Sequence, residues 1–160
     1  MLWGLLGGSN ITGLVFIDTD VLALYHVFTW DKRYNINREF LKMVEEPATT
    51  IHNLLELVSI VFRARIGEDA RRIYRSYMLS RKWTILYPEP LVDWEEYCDK
   101  IFAYLEKGMS YGDSLIAWTL DENADQIDSF VTWNKKDFEN RIKVPVLTPQ
   151  EWIIQSGKHL

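Results

Sequence analysis

Short runs of consecutive apolar residues alternate along the chain with longer stretches whose apolar positions recur every three or four residues. The first pattern predicts buried strands and the second amphipathic helices. The opening run, Val15-Phe16-Ile17, ends in the carboxylate of Asp18 and passes directly into Val21, Leu22, Leu24 and Tyr25 at helical spacing, as far as about Phe28. Residues 29–37 are polar and aromatic (Trp30, Asp31, Lys32, Arg33, Tyr34) and read as a loop, either plain surface or a cover for a substrate. A short helix with Phe40, Leu41 and Val44 apolar follows and stops at Pro47. Ala48-Thr49-Thr50-Ile51 is the second predicted strand. The helix after it, about His52 to Ala64, has Leu54, Leu55, Val58, Val61 and Phe62 as its expected buried stripe.

The alternation continues. Gly67 to Ser80 reads as a helix packing through Ala70, Ile73, Tyr74 and Tyr77, and Trp83 to Tyr87 as the third strand, closed by Pro88 and Pro90. From Leu91 to Leu105 a helical stripe of Trp94, Tyr97, Cys98, Ile101, Phe102 and Leu105 makes Cys98 an expected core thiol. A turn at residues 108–112 delivers Asp113 to the start of a helix that buries Ile116, Ala117 and Leu120. The fourth strand lies within Ile127 to Trp133. The fifth, Val144 to Leu147, contains Pro145 and is therefore an edge strand. Pro149 opens a closing helical turn with Trp152 and Ile153.

Repeated βα units make this an α/β chain, with a mostly parallel five-stranded sheet and helices on both faces. Residues 1–13 form an apolar leader, 14–154 one domain and 155–160 a C-terminal tail. With 160 residues, 48% hydrophobic and 26% charged, the chain is neither disordered nor in need of staples. One cysteine excludes an intrachain disulfide framework and a cysteine-rich metal site. The leader lacks a basic region and is too short for a span, so no membrane role and a cytoplasmic location are expected. Seven Trp, eight Tyr and seven Phe point to extra aromatic packing or an apolar dimer face. A formal charge of −5 disfavours tight passive binding of nucleic acid.

Four acids, Asp18, Glu56, Asp113 and Asp137, share one feature. Each falls at or just beyond a strand end, or early in the following helix, between apolar neighbours. In an all-parallel sheet these positions converge on one edge, where open α/β sheets place their chemistry. Ionised carboxylates in contact would repel by roughly 4 kcal/mol per pair at about 4 Å and an effective dielectric near 20. Such a cluster calls for a cation or shared protons. An all-oxygen site selects Mg²⁺ or Mn²⁺, suited to activating water and stabilising charge on a phosphodiester. Asp18 and Asp113 are the best direct ligands, Glu56 a ligand or a water-orienting group, and Asp137 an outer ligand. Asn134 and Thr132 add neutral polar groups. Each acid also has an ordinary reading: Asp18 or Thr19 as a helix cap, Asp113 as a helix-start charge, Asp137 as surface beside Lys136, and Glu56 paired with Arg63.

The same residues carry a resemblance. Phe16-Ile17-Asp18-Thr19-Asp20-Val21-Leu22 resembles the first motif of the PIN-domain family, most like its VapC-type toxin ribonucleases. Thr50 to Leu57 is similar to the segment bearing the family's glutamate, here Glu56. Tyr111-Gly112-Asp113-Ser114 is similar to its third motif, and Val131-Thr132-Trp133-Asn134-Lys135-Lys136-Asp137-Phe138 to its closing pattern of threonine, asparagine and acid. The resemblance spans about Val15 to Pro149. It implies a three-layer α/β/α sandwich with strand order 3-2-1-4-5. It also implies a Mg²⁺- or Mn²⁺-dependent endoribonuclease hydrolysing RNA, with Asp18, Glu56, Asp113 and Asp137 as metal ligands beside Thr132 and Asn134. The family's toxins are often homodimers silenced by a small antitoxin protein. Three features depart from the pattern: the apolar leader, the longer aromatic loop around Trp30 to Tyr34, and the bulky Trp133.

Other signals are weaker. Arg63, Arg71, Arg72, Arg75, Lys135 and Lys136 can track a phosphate backbone or simply face solvent. Tyr111 and Trp133 can stack on a base or pack at the rim. His26, His52 and His159 show no metal-ligand spacing. Two rival readings remain: a non-catalytic PIN-like scaffold or RNA- or protein-binding module, and a receiver-like domain. The receiver-like domain would require adjacent acids before the end of the first strand and a strand-end lysine, which are not evident.

Overall fold

The computed structural model describes residues 13–64, 69–88 and 93–157. Its elements are β1 (Leu14–Ile17), α1 (Thr19–His26), α2 (Tyr34–Met43), β2 (Pro47–Thr50), α3 (Ile51–Ala64), α4 (Ala70–Met78), β3 (Thr84–Leu86), α5 (Trp94–Leu105), α6 (Tyr111–Glu122), β4 (Ile127–Val131), α7 (Lys135–Phe138), β5 (Val146–Leu147) and α8 (Pro149–Gln155). The five strands form one sheet in the order β3-β2-β1-β4-β5. Every pairing is parallel, where a mostly parallel sheet is expected from the sequence. β1 lies at the centre, so its C-terminal residue opens onto the middle of one sheet edge.

Strand alternation divides the core in two. Val15 and Ile17 face one layer with Leu22, Phe40, Leu54, Leu57 and Trp152. Phe16 faces the other with Ile116, Leu120, Phe130 and Phe138. Phe16 lies beside the small Ala48 of β2 and 5.3 Å from the ring of Phe130, which fills the space on its other side. Gly13 enters β1 where a Cβ would come within 2.9 Å of Asp128 Cβ, so glycine permits the close approach at the start of the β1–β4 pair. Among the described residues no helix is long and apolar enough to cross a membrane.

Several local expectations are corrected. Residues 34–37 belong to α2 rather than to the loop, because Asn37 is drawn into the core by hydrogen bonds. On α3 the buried side is Asn53, Leu54, Leu57 and Val61, whereas Leu55 and Phe62 are 55% and 61% exposed. On α5 only Ile101 and Tyr104 are buried, with Trp94, Cys98 and Phe102 facing outward. Cys98 is therefore not a core thiol. Both helices carry more apolar residues than one face can bury, and a stripe read about 100° away fits the spacing equally well. Residues 1–12 of the apolar leader and Pro90 lie outside the described residues.

Candidate active site at the sheet edge

The β1–β4 pairing continues one residue past β1: Asp18 N–H donates to the carbonyl of Val131 at 3.0 Å. This carries the Asp18 carboxylate to the C-terminal edge while keeping it 6% exposed. Asp18 Oδ1 accepts from Thr19 N at 2.7 Å and from Asn53 Nδ2 at 2.9 Å, and Oδ2 accepts from Thr132 Oγ1 at 2.8 Å. The capping reading holds for Asp18, and the same carboxylate also gathers side-chain donors at the sheet edge. Its donors come from α1, α3 and the segment after β4.

Asn53 is held in turn. Thr50 Oγ1 donates to Asn53 Oδ1 at 2.6 Å, and Asn53 N donates back to Thr50 Oγ1 at 3.1 Å. Thr19 Oγ1 donates to Glu56 Oε2 at 2.6 Å and accepts from Asn53 Nδ2. Glu56 is thereby bound into the Asp18 network, not paired with Arg63, whose Nε donates to the Ser59 carbonyl.

A further acid, Asp20, completes the cluster. Its Oδ2 accepts from Trp133 N at 2.9 Å and lies 3.1 Å from Thr132 Oγ1. That hydroxyl has one proton and two carboxylates within reach, and it already accepts from Asn134 N. Asp20 Oδ1 is buried with no hydrogen-bond partner. Burial, followed by the charge of Asp20, holds the Asp18 carboxyl well above the usual carboxylate range. Burial likewise pushes Asp20 up to about 6. Both shifts express the cost of placing negative charge here without a counter-charge.

The remaining candidates lie at their own helix starts. Asp113, in the first turn of α6, accepts from Ser110 Oγ at 2.7 Å and donates its N–H back to the same oxygen at 3.1 Å. Asp137 on α7 accepts from Asn134 Nδ2. Thr132 is fully buried and Asn134 exposed. Among the described residues no three His, Cys, Asp or Glu side chains are grouped to hold a metal ion. The structure thus links Asp18, Asp20 and Glu56 by hydrogen bonds, while Asp113 and Asp137 bond locally.

The Trp133 ring bonds to α2 rather than to an acid. Its Nε1 donates to Asn37 Oδ1 at 2.8 Å, and the Arg33 guanidinium lies over its ring at 5.4 Å. Arg33 is held by Asp31 at 2.8 Å, yet it also senses the charge of Asp20. A cation therefore stands at the rim of the acidic site. Asp20, Asn53 and Arg33 were not among the sequence candidates. Asp20 stands two residues after Asp18, and Asn53 follows Thr50 at a side-chain capping interval, so both had a local signal. Arg33 had none.

No family model matches the sequence, and no curated protein matches it. Solved structures do. The Mycobacterium tuberculosis toxin VapC20, a sarcin-ricin loop cleaving toxin, aligns over 72% of this chain and 86% of its own, with TM-score 0.56 and 20% identity. VapBC-1 from nontypeable Haemophilus influenzae aligns over 86% and 98%, with TM-score 0.57 and 16% identity. A toxin-antitoxin complex from Klebsiella pneumoniae aligns over 84% and 97%, with TM-score 0.54 and 17% identity. The chain has a VapC-like PIN fold. In this PIN fold the acids Asp18 and Glu56 sit at the sheet edge that the strand order places at its centre.

Proposed function

We propose that this protein is a metal-dependent endoribonuclease that hydrolyses RNA phosphodiester bonds and acts as the toxin of a toxin–antitoxin pair. The observation that carries the reading is the buried Asp18–Asp20 pair, with one unpartnered carboxylate oxygen and both groups resisting ionisation. An all-oxygen donor set of this kind fits a hard divalent ion. Asp18, Asp20 and Glu56 would hold Mg²⁺ or Mn²⁺, with Asp113 and Asp137 completing the set from α6 and α7. The ion would supply Lewis-acid stabilisation of phosphodiester charge and activation of water.

The protein's own groups position this chemistry. Thr19, Asn53 and Thr132 fix the Asp18 carboxylate, and a preset ligand loses little on reorganisation. Asn134, Lys135 and Lys136 follow Thr132 at the edge, and Arg33 stands on the other side of Trp133. Lys135 is paired with Glu151 and Glu139 and Arg33 with Asp31, so Lys136 is the cation of this group without an acid partner among the described residues, and a phosphate approaching the edge would draw on it first. The toxin role draws on the likeness to VapC20 and to a toxin-antitoxin complex. It brings with it a small antitoxin partner, a homodimer and a cytoplasmic location.

One observation favours a second reading, a non-catalytic PIN-like scaffold: no three acids are grouped for a metal among the described residues. RNA cleavage separates the two. The full chain is incubated with single-stranded and hairpin RNA in Mg²⁺ or Mn²⁺, with EDTA and Asp18→Asn as controls. The proposal expects cleavage abolished by EDTA and reduced at least about 100-fold in Asp18→Asn, the scale of losing one transition-state charge contact. Wild-type cleavage no greater than that of Asp18→Asn would favour the scaffold.

A further inference from the structure

At the end of α1 remote from Asp18, roughly 10 Å along the helix, a cavity of about 340 Å³ opens between α1, α2, α4 and the start of β3. That volume is near the lower end of the ~300–1,000 Å³ range of small-molecule sites. Among the described residues no acidic side chain lines it. Tyr77 and Trp83 form an aromatic wall, with rings 4.8 Å apart and nearly perpendicular, and the Tyr77 hydroxyl is fixed by His26 Nε2 at 2.9 Å.

The other contributions are cationic and polar. Arg38 and Lys42 enter from α2. Arg38 Nε is buried and makes no hydrogen bond. It lies 3.4 Å from Glu39, whose carboxylate also holds Lys42 Nζ at 2.9 Å. Two cations against one carboxylate leave a net positive charge. Ser80 Oγ accepts from Lys82 N and Trp83 N at 3.1 and 3.4 Å, so its proton remains to be donated.

A guanidinium, an ammonium and a hydroxyl donor together suit phosphate oxygens. The aromatic wall suits a flat ring. The geometry points to a nucleoside monophosphate site, with the phosphate on Arg38, Lys42 and Ser80 and the base against Trp83. The cavity admits one nucleotide, either free or as the terminus of an RNA chain. It shares no residue with the acidic edge, so the inference holds or fails independently of the nuclease reading.

Calorimetric titration of the full chain with AMP, in EDTA, tests it. AMP binds in the micromolar-to-millimolar range, adenosine binds at least about tenfold more weakly, and Arg38→Gln weakens AMP by a similar factor, equivalent to ~1.4 kcal/mol. Asp18→Asn leaves AMP binding unchanged, which separates this cavity from the acidic edge. A 5′-phosphorylated trinucleotide that competes with AMP identifies an RNA terminus as the ligand, and one that fails to compete identifies the free nucleotide. Arg38 is a half-exposed side chain on α2, and a thermal melt verifies that Arg38→Gln is folded. Absence of AMP binding by the wild type, equal binding by folded Arg38→Gln, or adenosine binding as tightly as AMP overturns the proposal.

Discussion

Asp18 and Asp20 show how much of the site's behaviour depends on unpaired charge. A group whose folded pKa is raised binds protons more tightly in the folded state, so stability falls as pH rises through the interval between the two pKa values. For Asp20 that interval runs from the ordinary 3.8 to about 6. The cation-free protein therefore loses stability between about pH 4 and pH 6 from this group. Asp20→Asn keeps an oxygen for Trp133 N and removes the charge. It should flatten this part of the profile and raise the pH 7 melting temperature by about 2–5 °C. Melting curves from pH 4 to 7.5 in EDTA check this. Asn53→Ala has the opposite effect: it strips a donor from Asp18 Oδ1 and from Thr19 Oγ1. A hydrogen bond to a charged group contributes about 1.5–3 kcal/mol, so urea unfolding should show a lower midpoint with an unchanged slope.

At the scale of elements, α3 and α5 mark the limit of periodicity. Leu54 and Leu55 both fit an apolar stripe, and only packing against the sheet selects Leu54 with Leu57 and Val61. The surplus positions Leu55 and Phe62 on α3, and Trp94, Cys98 and Phe102 on α5, are left on the surface. Leu57→Ala should cost about 2–5 kcal/mol, whereas Phe62→Gln should change monomer stability by no more than about 0.5 kcal/mol. Chemical denaturation of both variants checks the assignment. The strands were more legible than the helix faces. Val15-Phe16-Ile17 and Ser129-Phe130-Val131 are buried on both sides, so no choice of face arises. Residues 34–37 read as loop in the sequence because the polar Asn37 hides its tertiary role, a buried side chain tying α2 to Val21 and Trp133.

For the whole molecule, the strand order is what unites distant stretches of sequence. With β2 and β4 flanking β1, Asn53 and Thr132 both reach Asp18, although they stand 35 and 114 residues from it. Parallel βα units made that convergence foreseeable for Asp18 and Glu56. The local bonds of Asp113 to Ser110 and of Asp137 to Asn134 were not foreseeable, since side-chain rotamers at a helix start depend on what else lies nearby. The central claim is that Asp18, just past β1, and Asp113 from α6 serve one cation. Calorimetric titration of Mn²⁺ into the wild type, Asp18→Asn and Asp113→Asn tests it most directly. The account predicts micromolar-to-millimolar binding in the wild type, lost in Asp18→Asn and weakened at least about tenfold in Asp113→Asn. Equal binding by all three proteins, or no binding by any of them, would contradict it.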